Sequence, residues 1–169
     1  MADDRSSPPS TASTAPDPHA LADQVEREMV AKMDPGLREL FGEPISIYSR
    51  ARALADGELI DVTERARELG FKWPTALTHG VWSQCVAVPP GLEGIQDESG
   101  RLHDVLWMAS IAARRTTGDP HSRRFEVYVL APRPSSRRGY AHDVMTLHLV
   151  AGPGDLGEPV LTIVRPEED

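Results

Sequence analysis

Cys85 is the sole cysteine among 169 residues. No intramolecular disulfide can form, and stability has to come from packing. A lone thiol suits a reducing compartment. No apolar run approaches the ~18 residues that a membrane-spanning helix needs. The opening MADDRSSPPSTASTAPDP is acidic and carries no apolar h-region of the secretory kind. These absences set the expectation of a soluble, cytoplasmic chain with no membrane attachment. His79, His103 and His121 are scattered, and His142 and His148 stand ~20 Å apart on one strand face, so no zinc pattern exists. The glycines of GPGDLG lack the spacing and context of a phosphate loop. No internal repeat is present. The sequence therefore offers no catalytic set, no metal site and no cofactor, and the reading leans away from an enzyme.

A formal charge of −8 argues against general nucleic-acid binding and favours a self-repelling, soluble chain. Residues 1–16 are Ser, Thr, Ala, Pro and Asp with hardly an apolar group. Such a segment cannot bury enough surface to offset its ordering entropy and reads as a disordered leader. Residues 17–166 read as one α+β domain, long enough to bury roughly two thirds of its unfolded surface. Residues 167–169 form a solvated acidic tail.

Asp17-Pro18 opens a first helix whose stripe is Leu21, Val25, Met29 and Met33, a spacing that points to the core. The stretch Ile45 to Val86 then organises the fold. Ile45 and Ile47 flank Ser46 in a short strand. Ser49 caps a helix, RARALAD, that Gly57 stops, and ELIDV is a second strand. Thr63 is expected to cap ERAREL, ended by Gly70. Pro74 is expected to open a third helix, TALTHGVWSQCVAV, with Leu77, Val81 and Cys85 on its apolar stripe. Arg101 to Arg115 is a long helical pattern with Leu102, Val105, Ala109 and Ala112 on one face, widened by Leu106 and Trp107. FEVYVL, DVMTLHLVA and VLTIV alternate with period two, and their short connections favour antiparallel pairing. The expected fold is a helical N-terminal half packed on a C-terminal antiparallel sheet of at least three strands, to which ELIDV or ISI adds a strand.

The run YSRARALADGELIDVTERARELGF, with VWSQC, VLWMASIAARR and the closing GPGDLGEPVLTIVRPEED, resembles a family of small uncharacterised bacterial proteins associated with plasmids and phages. The resemblance extends from about Glu43 to Glu168. It implies an accessory role on a mobile element and supplies no catalytic residue.

Two constellations remain. Between Arg114 and Arg138, seven arginines face only Asp119 and Glu126, a net +5 that leaves −13 for the rest of a chain totalling −8. Arg114, Arg115, Arg123, Arg124, Arg137 and Arg138 form the candidate surface for a protein or phosphate-bearing partner. The bland reading has them as solvated loop and helix-end cations, where a helix C-terminus favours positive charge in any case. The alternative site is Tyr48, Arg50 and Asp56, a trio that could line the pocket of a nucleotide-binding protein or enzyme. Its bland reading is a solvated helix end and a turn.

Overall fold

Period-two alternation runs through the last third of the chain and folds as the expected meander. The computed structural model describes residues 16–34, 36, 48–115 and 119–168. Strand β3 (Ser122–Pro132) pairs antiparallel with β4 (Tyr140–Pro153), and β4 pairs antiparallel with β5 (Pro159–Val164). The sheet does not stop there. β1 (Leu59–Asp61) pairs antiparallel with β2 (Thr75–Thr78), and β2 lies parallel to β5, giving the order β1-β2-β5-β4-β3. The sheet is mixed, not purely antiparallel, and ELIDV supplies one edge. The leader, the turn LRELFG and the expected strand at Ile45 to Ile47 lie outside the described residues.

Helices lie before β3. Those of the described residues include α1 (Pro18–Lys32), α2 (Arg50–Asp56), α3 (Thr63–Glu68), α4 (His79–Val81) and α5 (Glu98–Ala113). A π-helical turn, Trp82–Val86, continues α4, and its end is fixed by the Ala87 N–H donating to the Trp82 carbonyl at 2.8 Å. Asp17 and Ser49 cap their helices as expected. Gly57 stops α2 at φ +82°, a left-handed conformation that a side chain would strain.

Three expectations fail on tertiary grounds. Thr75–Thr78 is a strand, because it fits between β1 and β5 and its two β-branched threonines suit a pleated surface. The helix begins only at His79, where the Thr78 hydroxyl accepts the Val81 N–H at 3.3 Å. Thr63 is not a cap. It is the first helical residue; Asp61 accepts its N–H at 2.8 Å, and its own hydroxyl accepts the Thr75 N–H at 3.0 Å. Trp107 does not widen the buried face of α5. It stands 47 % exposed and stacks on His103 one turn away, with ring centroids 6.2 Å apart.

The core lies between α5 and one face of the sheet. Leu102, Val105, Leu106, Ala109 and Ala112 meet Phe125, Val127, Leu147, Leu149, Leu161 and Ile163, and Leu77, Val81 and Cys85 close its end. Each large side chain buried this way contributes roughly 1.5–3 kcal/mol of transfer free energy. In α1 the buried residue is Ala22, while Leu21 is exposed and Val25, Met29 and Met33 are half-buried. Ala22 and the buried Ala53 lie where α1 packs on α2, and small side chains let the backbones approach.

Candidate functional site

Helix α5 ends at Ala113, and Arg114 and Arg115 follow at its C-terminus, where carbonyls without intrahelical partners favour cations. β3 starts nine residues after Ala113 with Ser122, Arg123 and Arg124. Packing of α5 on β3 brings the two segments together. Arg115 and Arg124 line one cleft of about 460 Å³ with Met108, Phe125, Glu126 and Tyr128. Arg114 lines a neighbouring hollow with Leu69, Gly70, Phe71 and Ser110. Arg124 pairs with Glu126 at 3.4 Å, but both side chains are more than half exposed, and such pairs contribute little. Arg114, Arg115 and Arg123 form no ion pair among the described residues.

The six arginines do not make one surface. Arg137 and Arg138 sit in the turn of the β3–β4 hairpin, beyond Pro132. That is about 25 Å along the strand from Arg124. Arg133, in the same turn, is neutralised by Asp143. The positive segment seen in the sequence thus resolves into four arginines at one end of the sheet and two at the other.

The trio Tyr48, Arg50 and Asp56 divides: Tyr48 and Asp56 stay together, and Arg50 turns to the sheet. The Arg50 guanidinium donates to the Thr162 hydroxyl at 2.8 Å and to the Leu161 carbonyl at 3.1 Å, clamping α2 to β5. Burial holds its pKa below the ordinary arginine value, partly offset by Asp155, Asp61 and Glu158. Asp155 accepts the backbone N–H groups of Arg50 and Ala51 at 2.6 and 2.8 Å. Tyr48 is exposed, yet desolvation and then Asp56, by its charge and a hydrogen bond, push its phenol up, and Asp56 also faces His19 of α1 at 3.7 Å. Tyr48 and Asp56 thus meet each other, while the Arg50 guanidinium is committed to the sheet.

Several important polar residues escaped the sequence reading. Arg101 is 4 % exposed and donates to the carbonyls of Cys85 and Leu130 at 3.0 Å each and to Gln96 at 2.7 Å. It joins the end of the π-helical turn to β3. Its signal was a charged residue four positions before Val105, on the apolar stripe of α5. Glu168 was expected in solvent. Its carboxylate instead accepts the Thr78 hydroxyl at 2.8 Å, the Arg165 backbone N–H at 3.0 Å and the Arg165 guanidinium at 2.8 Å. Gly80 allows that approach, because a Cβ there would stand 2.4 Å from the Glu168 carboxylate. Burial pushes the Glu168 carboxyl up, yet these hydrogen bonds outweigh it and hold the group below its ordinary value.

Cys85 is buried, and burial pushes its thiol up to about 11 despite the nearby Arg101 and Arg165. It is protonated at neutral pH and unsuited to nucleophilic attack. Among the described residues, no three His, Cys, Asp or Glu side chains group closely enough to hold a metal ion, and no helix is long and apolar enough to cross a membrane.

The chain belongs to the family of unknown function DUF6573, whose model matches residues 40–169. That span takes in every element from α2 onward and leaves α1 outside. Neither a curated protein nor a solved structure matches the chain.

Proposed function

From a family whose description assigns no activity, we infer that this chain is a non-enzymatic accessory protein that captures a protein or nucleic-acid partner through arginines at one end of its sheet. The observation that carries this reading is the approach of Arg115, from the end of α5, to Arg124, from the start of β3, in one cleft. Arg114 and Arg123 stand beside them in sequence, uncompensated by any acid among the described residues. Arg137 and Arg138 serve as a second, separate contact that a long partner reaches. The cytoplasm suits a chain with one buried thiol. A role on a bacterial plasmid or phage rests on the resemblance alone, which runs from about Glu43 to Glu168.

The test replaces Arg114, Arg115, Arg123 and Arg124 with Glu. All four side chains lie away from the core, so the thermal midpoint is expected to stay within a few degrees. Capture of partners from a host lysate by the tagged chain is expected to disappear. Retained capture by the folded variant overturns the reading. Nuclease treatment and a salt titration separate the partner classes, because phosphate-backbone binding falls steeply with salt.

A further inference from the structure

We propose that the free edge of β3 takes up an additional β-strand, supplied by an extended acidic segment of a partner protein. This inference rests on the reading above and names the partner's chemistry. The hydrogen-bonding phase of β3 fixes which backbone groups are available. Arg133 donates its N–H to Gly139, and Ala151 donates to His121, so odd-numbered residues of β3 exchange bonds with β4. The even-numbered residues therefore aim their N–H and C=O groups away from the sheet. At Leu130 the outward carbonyl is taken by Arg101. At Arg124, Glu126 and Tyr128 the outward groups meet no partner among the described residues. The cleft of about 460 Å³ opens along these three residues.

Strand addition needs an unpaired row of donors and acceptors and pockets for alternate side chains. Both are present. On one side of the edge Met108 and Arg115 overhang from α5, with Ile111 on the same flank of the helix by its spacing. On the other side, Arg124, Glu126 and the 67 % exposed Tyr128 stand out from the sheet, with Val144 directly across from Tyr128. An added strand would place alternate side chains against Met108 and against Arg124.

Charge selects the occupant. Among the described residues Arg114, Arg115 and Arg123 form no ion pair around the edge, while Glu126 lies 3.4 Å from Arg124. An acidic strand meets them favourably. A second copy of this chain, paired about a two-fold at Phe125, would set Arg124 favourably against the other copy's Glu126. It would, however, bring each copy's Arg115, which lines the same cleft, toward like charge on the other, a repulsion that an acidic strand avoids. Charged side chains on an edge are a common device against self-pairing.

The probe is a short fluorescein-labelled synthetic peptide alternating glutamate and valine, with a lysine–valine peptide as control, read by anisotropy on the full chain. The glutamate peptide is expected to bind saturably, with slowed amide exchange at Arg124, Glu126 and Tyr128 and no change at the laddered Val127. Glu126→Pro removes one outward N–H without touching the ladder, and is expected to weaken binding about tenfold with the fold intact by circular dichroism. Arg115→Glu with Arg124→Glu is expected to reverse the preference toward the lysine peptide, a readout that does not depend on proline tolerance. Binding that Arg→Glu abolishes but Glu126→Pro and amide exchange leave untouched overturns strand addition while sparing the arginine reading. Binding that neither change affects overturns both, and the absence of saturable binding overturns strand addition alone. Concentration-dependent self-association protecting the same three amides overturns the peptide in favour of a second copy.

Discussion

The two edges of the sheet are built on different terms. β1 is three residues long, and the structure around it is tied down by buried or half-buried polar contacts. Arg50 clamps α2 to β5, Asp155 holds the first N–H groups of α2, and Glu168 fastens the chain end to β2 at Thr78. β3 is eleven residues long, carries charges on its outward face and has backbone groups that meet no partner among the described residues. The elements beside one edge are fastened by the chain itself, and the described residues supply no such fastening along Arg124 to Tyr128 at the other. A strand that long, open and flanked by apolar side chains is a hazard unless its occupancy is controlled. The comparison therefore predicts that substitutions near β1 act on stability, whereas those near β3 act on binding.

The largest effect is expected where the two sides are joined. Arg101→Met fills similar space but strands the carbonyls of Cys85 and Leu130, costing on the order of 3 kcal/mol. Urea denaturation measures it. A loss below about 0.5 kcal/mol would show that water replaces the guanidinium and that Arg101 is not the junction. Next comes Arg50→Ala, which removes a half-buried clamp and its packed stem. A loss of about 2 kcal/mol is expected. Asp155→Ala follows at about 1 kcal/mol, the usual worth of a helix N-terminal cap. If the Arg50 variant proves neutral while binding of an added nucleotide is lost, the β1 edge has been misjudged.

Much of this division was legible in the residues, and the illegible part has a physical cause. Caps at Asp17 and Ser49, the stop at Gly57 and the alternation of β3, β4 and β5 are local signals, and they appear where the sequence places them. Thr75–Thr78 misled because Pro74 and a following apolar stripe suit a helix, while pairing with β1 and β5 is decided by residues far along the chain. The arginine segment was visible as composition, but its division into two ends depends on hairpin length. For Tyr48, Arg50 and Asp56, sequence neighbours could not reveal that Arg50 reaches across to Thr162 while Tyr48 turns to Asp56. Arg101 could have been found from its place on an apolar stripe. Its carbonyl partners could not.

The smallest effect sharpens the comparison through pH. Glu168 is held below its ordinary carboxyl value by Arg165 and Thr78, in spite of burial, and Glu26 is held low chiefly by the Arg52 hydrogen bond, then by Ser49. A carboxyl depressed in the folded state stabilises fully above its unfolded value and loses that contribution as pH falls through the folded one. The window therefore opens near the ordinary value of 4.5 and extends downward. Both groups lie on the side of β1 and β2, Glu168 against β2 and Glu26 on α1 against α2. Acidification below that window is expected to raise amide exchange first around α2 and β2, with the β3–β4 ladder protected longest. Glu168→Gln should flatten the acid limb of the stability curve and leave neutral stability only slightly reduced, because Gln can still accept from Thr78. An unchanged acid limb would mean that Glu168 is solvated in the folded state. The β1 edge would then rest on Arg50 and Asp155 alone.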